Sequence, residues 1–355
     1  MTGDANMNDA LLRTVDRIAA DHATRDVREA AERGDFPADL WAALEDVGLA
    51  RACVHEYAGG AGLSVPDAML ALRRSAYHAL PVPLAETMLA NRLLAEAGIA
   101  LPDGPVTIAA ATAGQPPASL RRDDGGGRLS GIAPRVPWAA DCPHAVLAAV
   151  DGDESFLVLA ALDEDAIPGR SANLASEPRC AVALDAARIV ALAPMPDAAE
   201  RILLEGALAR SVQMAGALEA AMDIALRYSG ERIQFGRPIA KFQAVQHMLA
   251  VMAGQVASAR AAADQAVEAS ASGPSALHVA IAKARTGEAA GQGAEIAHQV
   301  LGAIGFTREH SLHYLTRRLW SWRDEFGGEA WWQRRLGREV ARIGPDALWP
   351  AIVDL

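Results

Sequence analysis

The feature that most constrains this chain is a change of period along its length. Toward both ends, apolar residues recur in steps of three and four, the spacing that gathers side chains onto one face of a helix. Between them, over residues 105–198, that period disappears. Short apolar runs bounded by turn residues take its place, and such runs read as strands. A mostly α chain with a central β domain follows, in the order helices, sheet, helices.

The first zone, residues 1–104, carries Leu11, Val15, Ile18 and Ala19 at helical spacing. Phe36-Pro37 opens a further helix with Leu40, Trp41, Leu44 and Val47 on one face and Gly48 as its stop. A glycine-rich loop occupies 56–62, helices follow over 65–77 and 84–98, and Pro81 and Pro83 punctuate the gap. In the middle zone the apolar runs fall at 106–111, 145–150, 156–161 and 182–184. Turns at 123–127, 151–153 and Pro168-Gly169 separate them. A small antiparallel sheet or barrel is the expectation. In the last zone, 199–355, Phe242, Val245, Leu249, Met252, Val256, Ala259 and Ala263 form a narrow seam of the kind that bundles use. A helix over 275–301 sets Ala280, Ala284, Gly287, Gly291 and Ala294 near one side, where small residues let helices approach closely.

Composition removes several classes of function. The chain is 51% apolar but only 5% aromatic, so alanine, a strong helix former, carries much of its hydrophobicity. A net charge of −11 argues against a nucleic-acid binder. No apolar run approaches the roughly 20 residues of a membrane span, and the polar start, residues 1–8, does not read as a signal peptide. Cys53, Cys142 and Cys180 are far apart and odd in number, which suits reduced thiols in the cytoplasm. His298, His310 and His313 lie near one another in sequence without forming a metal-ligand pattern, and no metal is expected.

Two stretches carry candidate chemistry. The first is Tyr228-Ser229-Gly230-Glu231-Arg232-Ile233-Gln234-Phe235-Gly236-Arg237-Pro238-Ile239, followed by Phe242, Gln243 and Gln246. Arg232 sits where one helix ends and a long one begins. There its guanidinium could clamp a phosphate, assisted by the backbone N–H groups of the next helix start. The same residues also read as an ordinary turn with Arg232 paired to Glu231. The second stretch is Gln299-Val300-Leu301-Gly302-Ala303-Ile304-Gly305-Phe306-Thr307, whose small residues leave room for a flat ligand or simply end a helix.

Taken together, the two stretches resemble the C-terminal part of the FAD-dependent acyl-CoA dehydrogenase family. The first matches a Y-x-x-x-R-x-x-F-G-x-P-I-x-x-F-Q-x-x-Q run. The second is similar to a Q-x-x-G-G-x-G-F run, with Ala303 in place of its second glycine. Leu312-His313-Tyr314-Leu315-Thr316-Arg317-Arg318-Leu319 resembles the family's closing helix region. Asp35-Phe36-Pro37, Gly48-Leu49 and Gly59-Gly60-Ala61-Gly62 resemble its opening. The resemblance implies an N-terminal helical domain, a small β-barrel or sheet domain and a C-terminal four-helix bundle. It implies FAD as cofactor and α,β-desaturation of an acyl-CoA in fatty acid or steroid catabolism, with electrons passed to an electron-transfer flavoprotein. Arg232 and Phe235 would contact the FAD diphosphate, and Gln243, Gln299, Gly302 and Ala303 would line its adenosine side. In this family those contacts come from a neighbouring subunit, so an oligomer is implied.

The sequence departs from the family pattern at two places. No T-E-P-x-x-G-S-D run holds the flavin ring: residues 112–117 read Thr-Ala-Gly-Gln-Pro-Pro, and 136–141 stand as a remnant of the strand that should follow. The turn in which many members carry the catalytic base reads Arg323-Asp324-Glu325-Phe326-Gly327. Glu325 is the candidate base, one position before an ungapped count places it. Asp324 is an alternative, and Glu325 also reads as a solvated acid beside Arg323. Some members place the base ahead of the first bundle helix, where Glu205 is nearby but the count falls on Ala207. Adenosine-side residues kept and ring-side residues lost point to one subunit of a heteromer with an acyl-CoA dehydrogenase paralogue. A catalytically silent partner subunit and a flavin monooxygenase of the same fold are the alternative readings.

Overall fold

A computed structural model of the chain describes residues 2–110, 117–123 and 126–353. Five helices come first: α1 (Thr2–His22), α2 (Arg25–Glu32), α3 (Ala38–Asp46), α4 (Val65–Tyr77) and α5 (Leu84–Glu96). Leu40, Trp41 and Leu44 of α3 are buried as their spacing requires. Val47 is not: the helix has ended at Asp46, and Val47 is left 41% exposed. Ser64 caps α4 by accepting the Asp67 amide, while the Ser64 hydroxyl donates to the Asp67 carboxylate. α5 is buried on every face from Leu84 to Leu94, because it lies between the sheet and the bundle.

Among the described residues eight strands follow: β1 (Val106–Ala109), β2 (Ala118–Asp123), β3 (Gly126–Ser130), β4 (Ile132–Pro137), β5 (His144–Asp151), β6 (Glu154–Ala161), β7 (Arg179–Ala183) and β8 (Arg188–Pro194). The largest sheet runs β3-β2-β5-β6-β8, with β1 also on β5. β1 and β2 take turns along the same edge of β5, and both run parallel to it. The expected antiparallel sheet is therefore corrected to a mixed one. β4 and β7 form a separate antiparallel pair whose Val136, Cys180 and Val182 join Leu120, Leu147 and Val158 in one core. β2, β3 and β4 escape detection in the sequence because polar residues interrupt them, as edge and half-covered strands allow; β8, apolar after Arg188, escapes it as well.

The remaining helices are α6 (Ala198–Glu231), α7 (Gln243–Ala269), α8 (Ala276–Leu301), α9 (Leu312–Trp322), α10 (Glu329–Ile343) and α11 (Pro345–Val353). A two-stranded hairpin, β9 (Ile233–Gln234) and β10 (Arg237–Pro238), lies between α6 and α7. Short connections between long helices make neighbours antiparallel. The cross-helix bonds agree: Gln255 meets Gln292, and Ser258 meets Arg285. α6 and α8 therefore run the same way and end together, beside the start of α7. The predicted seam of α7 faces inward at Leu249, Met252, Ala259 and Ala263, with Val245 and Val256 packed at its margin. Among the described residues no helix is long and apolar enough to cross a membrane.

Candidate functional site

A cleft of about 800 Å³ opens between the β4–β7 pair and the bundle. Pro134, Arg135, Val136 and Pro137 form one wall, and Trp320, Phe326 and Trp331 line the other. The loop from Arg323 to Gly328, between α9 and α10, brings Asp324 and Glu325 to this cleft.

Several contacts determine the conformation of that loop. Lys283 of α8, fully buried, donates to the carbonyls of Arg323 and Gly327, each at 2.8 Å, and so ties both ends together. Burial pushes its ammonium down to about 7. Trp332 Nε1 donates to the Phe326 carbonyl at 3.0 Å, and Arg323 pairs with Glu329 at 2.6 Å. Phe326 itself adopts a left-handed φ of 53°, uncommon for a side chain of its size. Its ring fills the space above Gly206 of α6, where a Cβ would come within 2.2 Å of it.

Glu325 is not a free carboxylate. Its Oε1 meets Arg179 Nε at 2.7 Å and its Oε2 meets Arg210 Nε at 2.7 Å. These pairs belong to a longer buried chain of charge. Arg210 also binds Glu86 of α5 and Gln213. Arg179 continues to Glu177 at 2.9 Å, and Glu177 to Arg318 at 3.0 Å. Three arginines and three glutamates thus alternate from α5 through α6 to β7 and α9. Burial raises the Glu325 carboxyl, but the two guanidinium groups outweigh it and hold the group at about 2. A carboxylate held that low is a weak proton acceptor near neutral pH. Asp324 lies beside it in the cleft wall, exposed and without an ion pair among the described residues. Glu205 is buried under α5 and bound by Arg201 at 2.8 Å and Arg92 at 3.4 Å, away from the cleft lining.

The other sequence candidates gather at the far end of the bundle. Arg232 ends α6 and Gln243 begins α7. Gln299 lies in the last turn of α8, and Gly302 and Ala303 follow it. All five are exposed. Arg232 makes no ion pair among the described residues, so its pairing with Glu231 is not what the structure shows. Phe235 is 92% exposed at the tip of the β9–β10 hairpin, where it and Gly236 have φ of 50° and 77° as a tight hairpin turn demands. Gly302 has φ 64° and ψ −145°, a backbone region that excludes side chains, and the space beside it is open.

The structure joins these end residues to one another and separates Arg232 from Glu325. Arg210, which holds Glu325, and Arg232 lie on one continuous helix. At 1.5 Å per residue they stand about 33 Å apart along it. The α8 end lies nearer, because Trp320 of the cleft wall stacks on His298 at 5.5 Å. The segment 112–116, where the ring-binding run is missing, lies outside the described residues. The residues that sequence reasoning passed over are Arg179, Arg210, Glu86, Glu177 and Arg318. Arg210 had a readable signal: it is a lone charge in the mostly apolar helical stretch 206–218.

Helical layer, sheet and bundle around one cleft place the molecule in a known fold class. A solved structure of a variant of the steroid ACAD Tcur3481-Tcur3483 superposes with a TM-score of 0.85 at 27% identity, covering 95% of this chain and 98% of that one. The ChsE4-ChsE5 complex from Mycobacterium tuberculosis gives 0.88 at 23%, with the same coverage. The family model described as acyl-CoA dehydrogenase, N-terminal domain, matches residues 6–100, and that for the C-terminal domain matches 196–329. The chain belongs to the acyl-CoA dehydrogenase family. Acyl-CoA dehydrogenase FadE34 of M. tuberculosis is 33% identical over 90% of this chain, but the chain spans only 44% of that relative's length. Acyl-CoA dehydrogenase IpdE2 of the same organism is 29% identical over 87% of this chain and 89% of its own length.

Proposed function

We propose that the chain works as one subunit of a heteromeric acyl-CoA-desaturating flavoprotein and does not supply the catalytic base of its own cleft. The observation that carries this reading is the lock on Glu325 by Arg179 and Arg210. A base must be free to take a proton from the α carbon. Here the group at the candidate position is committed to two buried cations, and protonating it would take from each one of its two carboxylate partners.

The exposed end of the bundle supplies what the chain offers instead. Arg232 presents a guanidinium unpaired among the described residues, Gln243 and Gln299 present amides, and Gly302 leaves backbone open to a flat ligand. These groups fit the diphosphate and adenosine parts of FAD, with Ala303 beside them and Phe235 over the edge. FAD, when bound, supplies the acceptor for the β hydride of the CoA thioester. Arg232 neutralises diphosphate charge, and the amides orient the adenosine. The roughly 33 Å between Arg210 and Arg232, worked from the helix rise, supports a flavin held by a neighbouring subunit. Ile233, Phe235, Ile304 and Phe306 are exposed at the same end, an apolar surface of the kind that partners cover.

The comparisons support pairing. Tcur3481-Tcur3483 and the ChsE4-ChsE5 complex are each named as two proteins, and FadE34 is long enough to hold a second unit of this size. By the same support the substrate is a bulky, steroid-type CoA ester, and reducing equivalents pass to an electron-transfer flavoprotein. A second reading rests on Asp324, the unpaired carboxylate in the cleft wall: the chain would then be catalytic through that residue.

Co-expression with an acyl-CoA dehydrogenase paralogue, followed by measurement of bound flavin and of desaturation, tests both. Arg232→Gln should lower flavin content while leaving the fold intact, and Asp324→Asn should leave turnover unchanged. The heteromer reading fails if the chain alone binds FAD stoichiometrically and desaturates acyl-CoA. Loss of turnover in Asp324→Asn would select the second reading.

A further inference from the structure

The ion-pair chain accounts for Arg179, Arg210 and Arg318, but one other arginine packed into the interior stands outside every ion pair of the described residues. Arg28 of α2 is half-buried. Its Nε donates to the Ala23 carbonyl at 3.0 Å, and its Nη1 donates to the carbonyls of His78 and Ala79 at 2.5 and 2.8 Å. It makes no ion pair among the described residues. Its remaining amino group, Nη2, has no hydrogen-bond partner among them. Burial and the nearby Arg318 charge push its guanidinium down to about 10. The carbonyls satisfy donors without neutralising the charge.

Arg28 lines an open cavity of about 190 Å³ between the middle of α2, the end of α4, the later part of α6 and the start of α9. Arg227 stands at its exposed side and likewise makes no ion pair or hydrogen bond among the described residues. Ser311 and Tyr314 add hydroxyls that have no partner among those residues. Asp223 is the one carboxylate in the lining, and it accepts the Tyr77 hydroxyl at 2.7 Å.

We propose that this cavity is a binding site for a small oxyanion of the phosphate type, clamped between Arg28 on the inner side and Arg227 at the mouth. A guanidinium offers paired N–H donors that match two oxygens of a tetrahedral anion. The hydroxyls of Ser311 and Tyr314 complete a donor set. At about 30 Å³ per water the cavity would hold about six waters, room for the oxyanion with a short organic stub. The anion is either free phosphate or the phosphate ester of a small molecule. The site is separate from the cleft: no residue lines both.

Calorimetric titration of the purified protein with inorganic phosphate, in chloride buffer of matched ionic strength, tests this. One phosphate per chain should bind. Arg227→Gln should weaken binding about tenfold or more, the worth of a charge-assisted hydrogen bond, and Asp223→Asn should tighten it. Both positions are exposed, so circular dichroism should show intact folds. Arg28→Lys keeps the charge and loses the fork, and should also weaken binding; should it fail to fold, the other two variants decide. A parallel titration with glycerol phosphate separates the sources: tighter binding than phosphate identifies an ester, equal or weaker binding identifies the free ion. The proposal is overturned if no phosphate binds beyond the chloride control, or if Arg227→Gln and Asp223→Asn both bind phosphate like the parent chain.

Discussion

Replacing Glu325 by Gln separates a structural clamp from a catalytic base. The carboxyl falls from its ordinary 4.5 to about 2. At 1.36 kcal/mol per pH unit, that drop corresponds to about 3 kcal/mol of native stability at neutral pH. Its side chain is 18% exposed, and those of Arg179 and Arg210 are 5% and 2%, so little of this is lost to solvent screening. Gln keeps the shape and one acceptor but withdraws the charge, leaving Arg179 with Glu177 and Arg210 with Glu86. With about 2.1 cal/mol/K of unfolding entropy per residue, the variant should melt about 4 °C lower. The sign with pH follows from the direction of the shift. A depressed carboxyl stabilises fully above its unfolded value of 4.5, and the contribution fades as pH falls toward 2. Thermal melts of parent and variant from pH 7 downward should therefore converge in acid, while desaturation by the assembled enzyme at pH 7 stays near the parent value once both are folded. An E325Q chain as stable as the parent at pH 7, with turnover reduced a hundredfold or more, would refute the clamp and restore Glu325 as base.

Two further substitutions probe the same loop. Lys283 titrates at about 7 in the fold against 10.5 when unfolded, so the unfolded chain binds more protons between those values. Stability should rise with pH across that window, and urea titrations should show the rise vanish in Lys283→Met. The Met variant should also be less stable at high pH, because the carbonyls of Arg323 and Gly327 lose their donor. Gly206→Ala should cost about 1–3 kcal/mol, since its Cβ would strike the Phe326 ring; chemical denaturation reads the loss, and shortening position 326 to Leu in the same chain should recover part of it.

Much of the fold is legible in the residues because local chemistry and tertiary packing agree. The α4 span of 65–77 follows from a capping Ser64, Pro66 in the first turn and an apolar face. The α7 seam follows from its spacing. β5 and β6 show as apolar runs because both are central strands covered on each face. The parallel placement of β1 and β2 on β5 does not show, because strand direction is set by connections and not by the composition of a strand. Of the candidate site, the exposed end of the bundle is readable as motif: Arg232, Phe235, Gln243, Gln299, Gly302 and Ala303 sit in two local runs, each at the end of a bundle helix.

Sequence by itself determined the order of helices, sheet and helices, the family, and the residues turned outward at the bundle's end, since each depends on neighbours within a few positions. Only the tertiary structure decided the state of Glu325. Its partners come from residues 179 and 210, more than a hundred positions away, and nothing local to Arg323-Asp324-Glu325-Phe326 announces them. A carboxylate's readiness to take a proton is set by the charges within a few ångströms of it, and which charges those are is a matter of how α6, β7 and α9 pack together.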